Sequence, residues 1–160
     1  MATITSLLAA TRGAGNPSRK SYLQELTVDL TAQAISCTGG DIVQCLTVPA
    51  NTVILWAGVQ VIESATMNTG SDATVDFGTS ADDDEYVAAY DIDGASDLAY
   101  APAATPAGVI VLSTANTLDL TFAGTGATFT AGKLRVFAML MDVSEVGDKT
   151  AQEVDRDTLA

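Results

Sequence analysis

The sequence predicts an all-β protein, an antiparallel β-sandwich most simply arranged as a jelly roll, with a short helical insert and an extended N-terminal arm. Three observations lead to this fold class. Several segments alternate apolar and polar residues with a period of two, as half-buried strands do. Turn-rich segments containing Gly and Pro separate them. The 160 residues are 48% hydrophobic, which is enough for one core.

Seven or eight strands account for most of the chain between its two ends. In the segment "NTLDLTFAG", for example, Leu118, Leu120 and Phe122 share one parity and Asp119 takes the other. Such alternation predicts one face on the core and one in water. The strands are expected at residues 22–30, 41–48, 52–62, 73–77, 107–113, 117–122 and 133–143.

Two of these runs, 52–62 and 133–143, are apolar on both faces. In the first run, Val53 and Leu55 are predicted to lie on the opposite side from Trp56. A sheet face that should meet water is here too apolar to do so, and we expect another subunit, the arm or a loop to cover it, with subunit contact preferred. The candidate oligomer-interface residues are Trp56, Phe137, Met139 and Met141.

The stretch "SADDDEYVAAYDIDGASD", residues 80–97, is unusually acidic. It is predicted to be a short helix inserted between strands, with Ser80 at the N-cap and Asp83 at the third helical position. Gly94 would end it, and a strand through "EYVAAYDI" is the alternative. The spacing excludes an EF-hand, because Gly94 comes too early and the twelfth position is Pro102. An irregular calcium site within residues 82–97 stays open.

Charge is distributed unevenly along the chain. It contains 20 Asp or Glu and seven Lys or Arg, a net charge of −13. Residues 21–132 hold no Lys or Arg, so this acidic body should repel phosphate backbones and is not expected to bind nucleic acid. Residues 1–20 carry three basic groups and no acid. We therefore expect a basic arm at 1–20, a body at 21–143 and a polar tail at 144–160.

The residue types needed for catalysis are scarce. The chain has no His, which removes the commonest general base and neutral metal ligand together. Cys37 and Cys45 lack further zinc ligands, and both free thiols and a short-loop disulfide stay open. No run reaches the roughly 18 apolar residues of a membrane span. We expect no catalytic residue, cofactor, metal or membrane partner.

Residues 46–143 resemble a group of tailed-bacteriophage virion proteins. Their shared pattern is a "VPAGT" turn, a long apolar strand, "T-x-D-x-G", an Asp-rich "D-x-D-x-[YF]" segment, "T-x-D-L-T" and "AG-K-x-R-V-x-A". The sequence departs from it at Asn51, where the family usually has Gly. The matching segments here are Val48–Thr52, Thr74–Gly78, Asp82–Tyr86, Thr117–Thr121 and Ala131–Ala138.

The resemblance implies a jelly-roll capsid decoration, or cement, protein that bridges major capsid subunits on the outer surface of the virion, after assembly in the host cytoplasm. The implied partners are the major capsid protein and further copies of this chain, a trimer being favoured over a dimer. In the arm, the candidate capsid contacts are Leu7 and Leu8 as apolar anchors and Arg12, Arg19 and Lys20 as ion-pair donors.

Two other functions are compatible with the same fold. A receptor- or glycan-binding module of a fibre or spike would need an exposed aromatic platform. Aromatic residues make up only 6% of the chain, and most fall at predicted core positions. A minor tail or neck subunit is the other alternative.

Overall fold

The computed structural model describes residues 21–32, 35–37, 40–70, 72–101, 109–125 and 128–143. The predicted arm and tail lie outside these residues. Within them the chain forms strands and turns, and no described segment is a helix long and apolar enough to cross a membrane. The strands are β1 (Ser21–Asp29), β2 (Ile42–Val48), β3 (Thr52–Met67), β4 (Thr74–Thr79), β5 (Asp82–Asp91), β6 (Ile110–Leu112), β7 (Asn116–Ala123) and β8 (Phe129–Asp142).

The strands form two antiparallel sheets, which confirms the predicted all-β sandwich. Sheet A has the order β1-β8-β3-β6, and sheet B has the order β2-β7-β4-β5. The two long apolar runs become β3 and β8, which pair with each other at the centre of sheet A. Backbone bonds also join the segment 99–101 to β3, since Val61 donates to Ala99 and Ala101 donates to Val59.

The core lies between the sheets and is filled from alternate positions of each strand. The predicted inward set of β7 is fully buried, as are Leu134, Val136 and Leu140 of β8. Each large apolar side chain removed from water in this way contributes roughly 1.5–3 kcal/mol. The largest fully buried side chains include Phe77, Phe122, Leu30, Ile54, Ile92, Leu118 and Leu120.

A β-bulge in β3 changes which side chains share a face. The register with β8 shifts between Ile54 and Trp56, so that Leu55 is the extra residue. Because side chains alternate with a period of two, one extra residue moves every later side chain to the other face. Val53 and Trp56 therefore lie on the same outer face, and the predicted opposition between them was wrong.

The helix predicted in the acidic stretch was wrong, because residues 82–91 form strand β5 and no helix is present in 80–97. β5 pairs with β4, and Thr79 opposes Asp82 across a tight turn. Ser80 is not a helix cap, since its hydroxyl donates to Asn116 Oδ1 at 3.1 Å. The weaker alternative, a strand through this segment, is the observed structure.

The reason lies in what β5 contacts. Tyr86 and Val87 are buried, and the Tyr86 ring lies 6.3 Å from that of Phe77. Pairing with β4 satisfies the backbone while placing these apolar groups on the core. Local helix signals are worth only a few tenths of a kcal/mol each, which is less than the burial of either side chain contributes.

Both cysteines are free thiols. Cys37 is buried and Cys45 is half-buried. Burial, the main cause, raises the pKa of the Cys45 thiol to about 12. With this pKa, Cys45 stays protonated at neutral pH. Because only the thiolate is reactive, the side chain behaves as a small apolar group.

Candidate interaction surface

The outer face of sheet A collects the four side chains predicted at an oligomer interface. Trp56 opposes Met139 in the β3–β8 register, Phe137 lies opposite Gly58, and Met141 lies opposite Val53. They share this face because residues 137, 139 and 141 of β8 alternate with Val136, Ala138 and Leu140, which are buried in the core. The structure thus brings the four together, and their role at an interface stays a prediction.

An aromatic cluster forms the centre of this face. The Phe137 ring lies 4.8 Å from the Trp56 ring and 6.2 Å from the Tyr100 ring, measured between centroids. Phe137 is only 7% exposed, whereas Trp56 and Tyr100 are 54% and 62% exposed. A Cβ at Gly58 would come 3.0 Å from the Phe137 ring. The missing side chain at Gly58 lets that ring lie close to the sheet between its two partners.

The cluster borders a shallow depression of about 190 Å³, which Leu23, Glu25, Gln60 and Arg135 also line. This volume is below the roughly 300 Å³ at which pockets for drug-sized ligands begin. Most of the side chains that line it are apolar, and Glu25 and Arg135 are its two charged members. The depression is therefore too small for a drug-sized ligand, and it is part of a broader apolar surface with mixed charge.

The sequence did not identify Leu23, Tyr100 or Arg135 as members of this surface. Leu23 has the parity of Glu25 and Thr27, and its position is a break in the alternation that could have been noticed. Tyr100 lies in a turn-rich segment and reaches sheet A through a bridge to Gln60. Only the fold reveals that contact.

The two cations of the described chain, Lys133 and Arg135, both lie on the outer face of sheet A. Lys133 Nζ contacts Glu63 Oε2 at 3.1 Å. The hydrogen bond to Glu63 is the main cause that raises the pKa of Lys133. Arg135 forms no ion pair with a described residue. This face therefore carries both signs of charge around an apolar centre.

The outer face of sheet B has the opposite character. Asp76 and Asp119 lie on it by register, beside the turn between β4 and β5, with Asp76 half-buried and Asp119 buried. In that turn three exposed carboxylates, Asp82, Asp83 and Asp84, approach within 4.8 Å of one another. A hydrogen bond with Asp84, together with burial and like charge, raises the pKa of Asp82.

Three carboxylates in the segment for which an irregular calcium site stayed open accept hydrogen bonds from backbone N–H groups. Asp91 Oδ1 accepts the Gly94 N–H at 2.7 Å, and Asp93 Oδ2 accepts the Asp72 N–H at 3.0 Å. Asp97 Oδ1 accepts the Ser64 N–H at 2.8 Å. These bonds close the loop after β5 and fasten it to β3. They explain why Asp is needed at these positions without a bound metal ion.

Mild acid is expected to stabilise the protein. Burial is the main cause that raises the pKa of Asp76, Glu85 and Asp93. A raised carboxyl pKa means that the folded state holds the proton more tightly, so its contribution is present below the unfolded pKa and is lost as pH rises through the folded pKa. Asp29 and Asp91 have lowered pKa values and act oppositely, but only below their ordinary value of 3.8.

The melting temperature should therefore rise as pH falls from neutral towards the ordinary carboxyl pKa values of 3.8 to 4.5, and fall again below them. Differential scanning calorimetry at fixed ionic strength measures it. The variant Asp76→Asn should show a smaller rise, because it removes one raised carboxyl group. A melting temperature that falls steadily from pH 7 to 5 would contradict the assignment.

The predicted capsid-contact residues Leu7, Leu8, Arg12, Arg19 and Lys20 lie outside the described residues. The surfaces that the structure describes are thus those of the body alone. They comprise one apolar face with mixed charge and one acidic face, on opposite sides of the sandwich.

No protein-family model and no curated protein matches the sequence. Two solved structures share the fold. A chain of the cyanophage Pam1 capsid asymmetric unit aligns with a TM-score of 0.65 at 17% identity, covering 88% of this chain and 98% of that chain. A chain of the acidic stable capsid of Helicobacter pylori bacteriophage KHP30 aligns with a TM-score of 0.55 at 11% identity, covering 78% and 89%. Identities this low show a common fold, so the chain shares its architecture with chains of these two phage capsid structures.

Proposed function

We propose that this protein is a non-enzymatic structural component of a bacteriophage virion, which decorates the outside of the capsid and bridges major capsid subunits. The observation that carries the proposal is that both fold neighbours are chains of phage capsid structures. The Pam1 chain is covered almost completely, so the likeness extends over a whole chain of that assembly.

The strand order supports the jelly-roll part of the proposal. Strands β1, β3, β6 and β8 form one sheet and β2, β4, β5 and β7 the other. Most successive strands therefore cross from one sheet to the other, as in two interlocked Greek keys. Jelly rolls are common in viral capsid proteins. They also occur in lectins, and the fold alone does not separate these functions.

The chemistry of the described surface supports a binding role. Its main features are a broad apolar face and an acidic face, and its depression on sheet A is small. A cement protein acts through many modest contacts whose effects multiply when copies are linked. Contacts of this kind require area and charge, which the two faces provide.

The basic arm at 1–20 is proposed as the capsid-binding segment. Its three cations contrast with the acidic body, so the two parts are suited to different partners. Leu7 and Leu8 would supply apolar contacts and Arg12, Arg19 and Lys20 ion pairs to acidic groups of the capsid subunit. The proposed location is the outer surface of the virion, reached after assembly in the host cytoplasm.

Co-sedimentation with expanded, undecorated capsids of the host phage tests the proposal. The full chain should bind saturably, and binding should fall at least about tenfold when Arg12, Arg19 and Lys20 are replaced by Ala, because each desolvated ion pair contributes to the contact. A chain truncated after residue 143 is the matched control and should bind normally. Failure of the full chain to bind would overturn the proposal.

A glycan-binding fibre module is the second candidate, and one observation favours it. Trp56 and Tyr100 are both exposed and both contact the Phe137 ring, and exposed aromatic side chains are the platform that this function requires. Trp56 is the sole tryptophan, so its fluorescence reports directly on this face. Saturable quenching by host surface polysaccharide, together with no capsid binding, would favour the fibre module.

A further inference from the structure

We propose that the outer face of sheet A is the surface through which two copies of this chain associate. The occupant of the face is thus the same face of a second copy. The inference deepens the proposed function, since it rests on the linked copies through which a cement protein acts and identifies the contact between two of them. It favours a dimeric contact, because a flat sheet face packs against one other face at a time.

The first argument is the extent of the apolar surface. Leu23, Trp56, Tyr100 and Val111 each expose more than half of their surface, and together they present about 400 Å² of apolar area. The largest apolar patch on a typical monomer covers about 300–600 Å² and is often a functional site. Nine paired residues along β1 make the face about 30 Å long. With its polar margin it is comparable with the ~800 Å² per partner of a standard interface.

The second argument is charge. At −13, two copies repel each other wherever acidic surfaces meet. The outer face of sheet B, with half-buried Asp76 and the exposed Asp82–Asp84 turn, is such a surface. The outer face of sheet A carries both cations of the described chain and an apolar centre. Of the two outer faces, it is the one on which a second copy meets little repulsion.

The third argument is self-complementarity. In a two-fold contact, if residue i of one copy meets residue j of the other, then j also meets i. Glu25 and Arg135 line the same depression beside the aromatic cluster. Arg135 forms no ion pair with a described residue, so Glu25 of each copy can pair with Arg135 of the partner subunit. Lys133, already paired with Glu63, belongs to the margin.

The oligomeric state of the full chain tests the proposal, measured by sedimentation velocity over a range of concentrations. The wild-type chain should dimerise, and Trp56→Ala should weaken dimerisation about thirtyfold, as for an aromatic residue at the centre of an interface. Ile42→Ala is the matched control. Ile42 is 61% exposed but lies on the outer face of sheet B, and its variant should dimerise like the wild type.

Reversing the charges of Arg135 and Glu25 tests their contact directly, because residues that only support the fold would not give the result expected here. Arg135→Glu and Glu25→Arg should each weaken the dimer, because each brings like charges together. The double variant should recover dimerisation, since both pairs are then restored with reversed sign. Circular dichroism spectra should be unchanged, because neither side chain is part of the core.

The outcomes separate this inference from the proposed function. A monomeric wild-type chain, or a dimer unaffected by Trp56→Ala and by single charge reversal, would overturn the inference. If the chain is monomeric and Trp56→Ala abolishes capsid binding, the face contacts the capsid subunit, and the decoration proposal survives without the dimer. If dimerisation follows the variants but capsids are not bound, the inference survives and the proposed function fails.

Discussion

Replacing Gly78 by Ala is expected to destabilise the protein by about 3 kcal/mol, at the upper end of what overpacking costs. Gly78 lies on β4 where the start of β5 folds over it. A Cβ built there comes closer than 3.0 Å to the carbonyl oxygens of Asp82 and Asp83. These are backbone atoms of a paired strand, so relief requires the β4–β5 hairpin to move.

Gly94→Ala provides the comparison, because it changes a glycine at the other end of the β5 segment. Its Cβ would approach the Asp91 carboxylate, a side-chain end that can rotate away at the loss of one exposed hydrogen bond from the Gly94 N–H, so the cost should stay at about 1 kcal/mol. Urea denaturation followed by circular dichroism measures both. Equal stabilities for the two variants would show that the hairpin does not pack over Gly78 as described.

The second large effect is expected at Asp76, on the outer face of β4. Its Oδ1 accepts a hydrogen bond from the Ala89 N–H, at the bulge of β5. Ala89 has a φ of 44°, a conformation that costs a non-glycine residue roughly 1 kcal/mol and needs support from its surroundings. Asp76→Ala removes the acceptor and should destabilise the fold by about 2 kcal/mol.

Asp76→Asn distinguishes the hydrogen bond from the charge. The amide oxygen still accepts the Ala89 N–H, and the negative charge near Asp83 and Asp84 is gone. Since burial raises the pKa of Asp76, the folded state prefers this group uncharged, and the Asn variant should be at least as stable as the wild type at neutral pH. Equal losses for Ala and Asn would refute the role of the acceptor.

Both predictions concern the acidic stretch, where the sequence was most misleading. Its Ser, Asp and Gly are residues that cap helices, and the same residues also serve tight turns and bulges. Contacts between residues that are distant in sequence determine that residues 82–91 form a strand and not a helix. Tyr86 packs against Phe77, and Asp76 supports the bulge at Ala89. No local pattern in residues 80–97 contains that information.

The interaction surface was partly predictable. The doubly apolar runs became β3 and β8, and Trp56, Phe137, Met139 and Met141 lie on a face that is not the core, while their role at an interface stays a prediction. Their common face depended on a bulge at Leu55, and Tyr100 joined from a loop 44 positions beyond Trp56 in sequence. Periodicity locates faces within a strand, and it carries no information on which strands become neighbours.

The sequence by itself determined the all-β class, most of the strands, the burial of β7 and the uneven charge, because alternation and composition act within a few residues of each position. Only the tertiary structure decided the β5 strand, the face of each β3 side chain after its bulge, and the pairing of cations with the apolar patch on sheet A. These depend on register and on long-range contacts, whose burial energies exceed local preferences. The same contacts place Glu25 and Arg135 beside the aromatic cluster, where the proposed association of two copies can be tested.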